Sequence, residues 1–379
     1  MIFIKPEELK KGMRLARPVY NGRGVLLYDI NTKLTRQGLE GVRNFGLMGV
    51  YVLEPAEPAP VLTDDDIEFE KFQAVSVLKL KEELIAMADH KGIKNIQRMA
   101  EDIIKRYGHE NRKINFLKSM RSPFDYTYKH SLNVAILCAI IAANMRMSYM
   151  EQVNIVTAAL IHDVGKTMIP EKILKRSGNM TEEDEYTINK CEIEGNELIQ
   201  NDYDIPSIVR IIVAQSIKEI NGKSDKRSKL LDGTKVFMVA EMFDILTAMN
   251  INGEPFTEIA ALRLLMSEKC GDEKKYDERA IGALMRGINI LTPGVCIELD
   301  NGVKGLVIKE NPDNILRPVI LSFHENKIYD LMSDEKFKDM QILDIMKTMD
   351  ERVEFEPEEI DSEEFAGVIS ELIKRRENA

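Results

Sequence analysis

From Leu132 to Met145 the chain runs LNVAILCAIIAANM without a charged residue. A stretch this apolar on every side has to be buried on every side. It is also well short of the roughly 20 residues that cross a hydrocarbon core, so it reads as a core helix rather than a membrane span. That requirement predicts a helical bundle built around it. His130, Val134, Leu137 and Ile141 share one face of this helix, and Val153, Val156, Leu160 and Asp163 recur at helical spacing on the next. Gly165 is placed to stop that second helix. Helical periodicity dominates from Tyr126 to about Ile290.

The two ends have a different texture. Residues 1–60 are rich in Gly and β-branched residues, with strand-like pieces at Gly24–Tyr28 and Gly49–Leu53, and predict a small, mainly β module. The prolines in Glu54-Pro55-Ala56-Glu57-Pro58-Ala59-Pro60 mark its boundary, because they continue neither a helix nor a central strand. Residues 61–110 are charged and helical, with Val77, Leu80, Leu84 and Ala88 on one face, as in a connecting arm or the dimerisation element of a homodimer. Residues 111–290 form the helical domain. In 291–335, Val295–Leu299, the turn Asp300-Asn301-Gly302 and Val303–Ile308 predict a β-hairpin, with Arg317–Leu321 as a further strand. Residues 336–379 are an acidic tail ending in a short helix. The expected fold class is mainly α: a helical bundle with a small β-rich N-terminal module and a small β-rich C-terminal extension.

Composition removes several function classes. The formal net charge is -11 from 52 basic and 63 acidic residues, which disfavours binding to a nucleic-acid backbone. Cys138, Cys191, Cys270 and Cys296 form no CxxC pair, so neither a disulfide framework nor a cysteine-rich zinc site is expected. The N-terminal MIFIKPEELKKGM carries no apolar stretch of secretory length. These features predict a reduced, cytoplasmic chain that binds no nucleic acid and inserts in no membrane.

The chemistry centres on the consecutive His162 and Asp163, an imidazole and a carboxylate that together suit a divalent ion. A His-Asp dipeptide is commonplace by itself, and a histidine such as His130 on an apolar helix is more often a satisfied core residue than a ligand. Two more features belong to the set. Lys166 stands three residues after Asp163 and could meet a phosphate. Val239-Ala240-Glu241-Met242-Phe243-Asp244 supplies two carboxylates three residues apart, a spacing that alone usually marks a solvated helical face.

Taken together, YTYKHSLNVA, ALIHDVGKTMIPEKIL, CEIEGNELI and VAEMFDILTA resemble the HD superfamily of phosphohydrolases, and more closely its HD-GYP branch. The resemblance covers about Asn111 to Ile290. It implies a helical domain that hydrolyses cyclic di-GMP with two or three iron or manganese ions. His130, His162, Asp163 and Lys166 stand at matching positions. The resemblance makes His130, His162, Asp163 and Glu241 metal ligands, with Glu241 in place of an aspartate, and gives Asp163 and Lys166 catalytic or phosphate-binding roles. Cys191 stands where the family has a histidine, but a thiolate is softer than iron or manganese usually takes. Ser216 and Ile217 replace a histidine pair, and Lys218 replaces the glutamate after it. The Gly-Tyr-Pro signature would fall at Ser224-Asp225-Lys226, where it is absent, and Met249–Asn252 lacks the family's arginine. The surviving set implies one divalent metal (iron, manganese or another) rather than a two- or three-metal cluster. Two expectations follow: a regulatory or binding protein for cyclic di-GMP, a related nucleotide or a protein partner, or else an active metal-dependent phosphohydrolase.

Overall fold

The structure is a computed structural model. It describes residues 2–21, 23–45, 47, 49–53, 64–110, 113–114, 125–174, 180–202, 204–220, 230–248, 256–270, 273–311, 314–332, 335–337 and 339–345. The Pro-rich boundary, the segments 221–226 and 249–252, and the tail beyond 345 lie outside these residues. The described chain divides into two compact units.

The larger unit comprises residues 1–112, 117–255 and 276–284. It begins with β1 (Ile2–Ile4), β2 (Arg14–Leu15), β3 (Val19–Tyr20), β4 (Leu26–Tyr28), α1 (Arg36–Asn44) and β5 (Val50–Leu53). The strands form an antiparallel sheet in the order β1-β5-β2 and a separate β3-β4 pair. Leu15, Leu34, Val42, Val50 and Val52 make their core. α1 is a helix within this otherwise β-rich module. Gly38 and Gly41 weaken its helical signal, yet the Thr35 side chain caps it by accepting from the Gly38 N–H, and Val42 anchors it in the core.

Helices make up the rest of this unit: α2 (Asp64–Ala88), α3 (Ile96–Tyr107), α4 (Tyr126–Asn144), α5 (Tyr149–Ile161), α6 (Glu171–Leu174), α7 (Glu182–Asn201), α8 (Ser207–Ile220) and α9 (Asp232–Thr247). α4 is the central element. Every residue from His130 to Ala143 is buried, and α2, α3, α5 and α9 pack around it. The arm α2 is therefore part of the bundle: its Val77, Leu80 and Leu84 are buried, and the Gln73 amide donates to Asn133 Oδ1 on α4 at 2.7 Å. Reciprocal capping boxes, Ser148 with Glu151 and Thr181 with Asp184, start α5 and α7. Among the described residues, no helix is long and apolar enough to cross a membrane.

The smaller unit comprises residues 113–116, 256–275 and 285–379, and α11 (Glu278–Gly287) is divided between the two. It contains α10 (Glu258–Ser267), the short β6 (Lys269–Cys270) and β7 (Glu273–Lys274), and five longer strands. These are β8 (Cys296–Leu299), β9 (Lys304–Lys309), β10 (Val319–Ser322), β11 (Ile328–Asp330) and β12 (Ile342–Ile345), in an antiparallel sheet ordered β11-β10-β9-β8-β12. The β8–β9 hairpin turns at Asp300-Asn301-Gly302, where Gly302 takes the positive φ of 81° that closes it. α10 belongs with this sheet: Arg263 donates to the Leu343 carbonyl at 2.9 Å, and the Thr257 hydroxyl hydrogen-bonds Asp344.

Candidate metal centre

Three segments of the larger unit bring the site together. His130 comes from α4, and Glu241 and Asp244 come from one turn of α9. α5 ends at Ile161, before the His162-Asp163 pair that the sequence places on the same helix. His162 is its C-cap, Asp163 lies just beyond, and Lys166 sits in the 3-10 turn Val164–Met168. The break has a packing cause. A Cβ on Gly165 would lie 2.4 Å from the Cys191 carbonyl oxygen of α7, and one on Gly195 would lie 2.3 Å from Gly165 Cα. Gly165 therefore does more than stop a helix: it lets the turn bearing Asp163 and Lys166 lie directly on the α7 backbone.

Single ligand atoms of His130, His162 and Glu241 all lie within 4.8 Å of one another. His130 Nε2 is 3.2 Å from Glu241, and His162 Nε2 is 3.3 Å from Glu241 Oε2. Asp163 Oδ2 is 3.7 Å from His130 Nε2 and 3.5 Å from His162 Nε2, and accepts from Lys166 Nζ at 2.8 Å. The imidazole rings meet edge to face at 5.3 Å, with Phe237 packed edge-on against His162 and Tyr126 stacked on His130. His130 Nδ1 lies 2.6 Å from Asp244 Oδ2, and His162 Nδ1 lies 2.8 Å from the Ala159 carbonyl.

A divalent cation fits this donor set on a structural observation. His162 Nε2 and Glu241 Oε2 are both buried with no hydrogen-bond partner among the described residues. With its Nδ1–H donated to Ala159, His162 carries a lone pair at Nε2. Two buried lone-pair atoms left facing each other are costly unless a cation or proton lies between them.

The electrostatics agree. Burial opposes charge on His130, but the Glu241 carboxylate and the hydrogen bonds from Asp244 and Glu241 outweigh it, and its pKa stands well above the usual imidazole value. Burial likewise opposes ionisation of Glu241, yet His130 and His162 hold it well below the carboxylate range. Asp163 is lowered against its burial by His162, Lys166 and His130, and Asp163 in turn raises Lys166. The metal-free site is thus a proton-bridged cluster. The raised His130 pKa stabilises the fold fully below the ordinary imidazole pKa, and that contribution fades as pH rises through the folded value. An ion must displace the same proton, so metal affinity is expected to rise with pH, with proton release, until the raised folded pKa of His130 is passed. Calorimetry in two buffers of different ionisation heat would read the protons, and a pH-independent affinity would contradict the assignment.

The remaining sequence candidates lie apart. Cys191 is outside the converging group, and burial followed by repulsion from Glu194 raises its thiol pKa, which keeps it protonated. The Ser216 hydroxyl donates to the Val213 carbonyl of its own helix, and Ile217 offers no lone pair. Asp244 was the residue hardest to see in the sequence. Its spacing from Glu241 reads as a solvated face, whereas both carboxylates are buried.

Residues 127–246 match the HD domain family. That match spans the segments that carry His130, His162, Asp163, Glu241 and Asp244. The chain is 21% identical over 221 residues to cyclic di-GMP phosphodiesterase PA4108 of Pseudomonas aeruginosa, covering 57% of this chain and 52% of that protein. It is 26% identical over 156 residues to cyclic di-GMP phosphodiesterase response regulator RpfG of Xanthomonas campestris pv. campestris, covering 40% of each. The chain thus spans about half the length, or less, of these relatives. Among solved structures it is similar to Bd1817, an HDG"Y"P protein from Bdellovibrio bacteriovorus. That match has a TM-score of 0.44 and 16% identity, covering 75% of this chain and 97% of that one.

Proposed function

We propose that this chain is a degenerate HD-GYP protein that binds cyclic di-GMP or a related nucleotide at a single-metal site and acts in signalling with little or no phosphodiesterase turnover. The observation that carries this reading is the size of the ligand set. His130, His162 and Glu241 converge, with Asp163 beside them, and this is enough for one ion. The positions that resemble further family ligands hold a protonated thiol, a hydroxyl bound to its own helix, and an isoleucine. A bound divalent ion would supply Lewis-acid polarisation of a phosphoryl oxygen and would acidify water.

The chain's own residues would do the rest. The two imidazoles and Glu241 would hold the ion, while Asp163 would complete the set. Lys166 is kept protonated and only partly exposed, and is now paired with Asp163. Once Asp163 is shared with a cation, the ammonium would be available to a ligand phosphate. A second reading, a single-metal phosphohydrolase, draws on the same orphaned Nε2 and Oε2 atoms.

Titration of the metal-loaded chain with cyclic di-GMP, with product analysis of the same samples, tests the proposal. Saturable binding with the dinucleotide recovered intact is the expected result. No binding at high micromolar concentrations would overturn the receptor reading, and hydrolysis at enzymatic rates would favour the second.

A further inference from the structure

We infer that Asp244 is a positioning residue for the metal centre, fixing His130 so that its Nε2 lone pair faces the ion. The inference rests on the metal-binding reading above and adds a role outside the ligand set. Glu241 and Asp244 stand three residues apart on α9, so one turn of one helix presents both carboxylates to the same imidazole. Glu241 lies on the Nε2 side at 3.2 Å, and Asp244 lies on the Nδ1 side at 2.6 Å. Asp244 is 1% exposed, so water does not screen this contact.

The two histidines of the site are held differently. His162 donates Nδ1–H to a neutral carbonyl, Ala159, on its own helix. His130 has an anionic acceptor on another helix, 114 residues away in sequence. A carboxylate behind a metal-binding imidazole selects the tautomer with Nε2 free, fixes the ring plane and makes the nitrogen a stronger donor. His130 is thus the more strongly donating of the two. The contact also couples α9 to α4 through the ring, so the same residue that fixes the ligand fixes the helix pair that frames it.

The test titrates Co2+ into metal-free full-length chain and into Asp244→Asn and Asp244→Ala, following the visible absorption of the bound ion and recording thermal unfolding without metal. Asp244→Asn keeps an acceptor oxygen and loses the charge, and should weaken Co2+ binding about tenfold. Asp244→Ala should weaken it by up to about 100-fold and shift the absorption band. A purely structural carboxylate would lower the unfolding midpoint and leave affinity and spectrum where they were. Native affinity and spectrum in Asp244→Asn would overturn the inference while the metal reading stood. Failure of the native chain to bind Co2+ would overturn both. Should Asp244→Ala not fold, the Asn variant alone decides.

Discussion

Gly195→Ala is expected to destabilise the larger unit by about 3 kcal/mol or more, at the upper end of what overpacking costs. The added methyl would lie 2.3 Å from Gly165 Cα and 2.4 Å from Gly165 N. These are backbone atoms, so no rotamer change can relieve the overlap. Only separation of α7 from the 3-10 turn makes room, and that turn carries Asp163 and Lys166. The variant should therefore lose metal affinity along with stability. For a unit of this size the unfolding midpoint should fall by roughly 6–12 °C, read by circular dichroism or calorimetry. A midpoint within a degree of the native value would show that the two backbones are not in contact.

The second large effect concerns rate. A multi-metal phosphodiesterase site uses paired ions to stabilise the attacking and leaving oxygens together, and each named effect of this kind is worth several kcal/mol. At 1.36 kcal/mol per factor of ten, removing one ion and its ligands costs several orders of magnitude. The chain is accordingly expected to hold one ion and to hydrolyse cyclic di-GMP at or near background. Glu241→Ala serves as the control that should abolish metal uptake. It removes the carboxylate nearest to both Nε2 atoms and leaves beside the two buried imidazoles only Asp163, which is farther from each and already paired with Lys166.

Much of the fold was readable because its signals are local. The run from Leu132 to Met145 cannot be solvated on any face, and it is the buried centre of a mainly helical unit. The hairpin at Asp300-Asn301-Gly302 follows from the turn chemistry of three adjacent residues. α1 was not legible, because two glycines in RQGLEGVRN obscure a helix that is held by a cap and by Val42 in the core. The close approach of Gly165 and Gly195 was not legible either. Each glycine looks ordinary in its own segment, and only the packing of the 3-10 turn on α7 gives the pair a purpose.

The candidate site divides along the same line. The His162-Asp163 pair stands out by adjacency, and His130 and Glu241 stand out through a family resemblance. No pattern within α9 tells that Glu241 and Asp244 both face inward, since carboxylates at i and i+3 normally point to water. Their burial follows from His130, which offers one nitrogen to each. Likewise nothing around Cys191 announces that its carbonyl lies against the turn carrying Asp163.

The most direct measurement is elemental analysis of the full chain, purified without chelator and with air excluded, combined with a cyclic di-GMP turnover assay on the same sample loaded with iron or manganese. One equivalent of metal per chain, its loss in Glu241→Ala, and turnover indistinguishable from background are the expected result. Two or three equivalents per chain with turnover at enzymatic rates would contradict it.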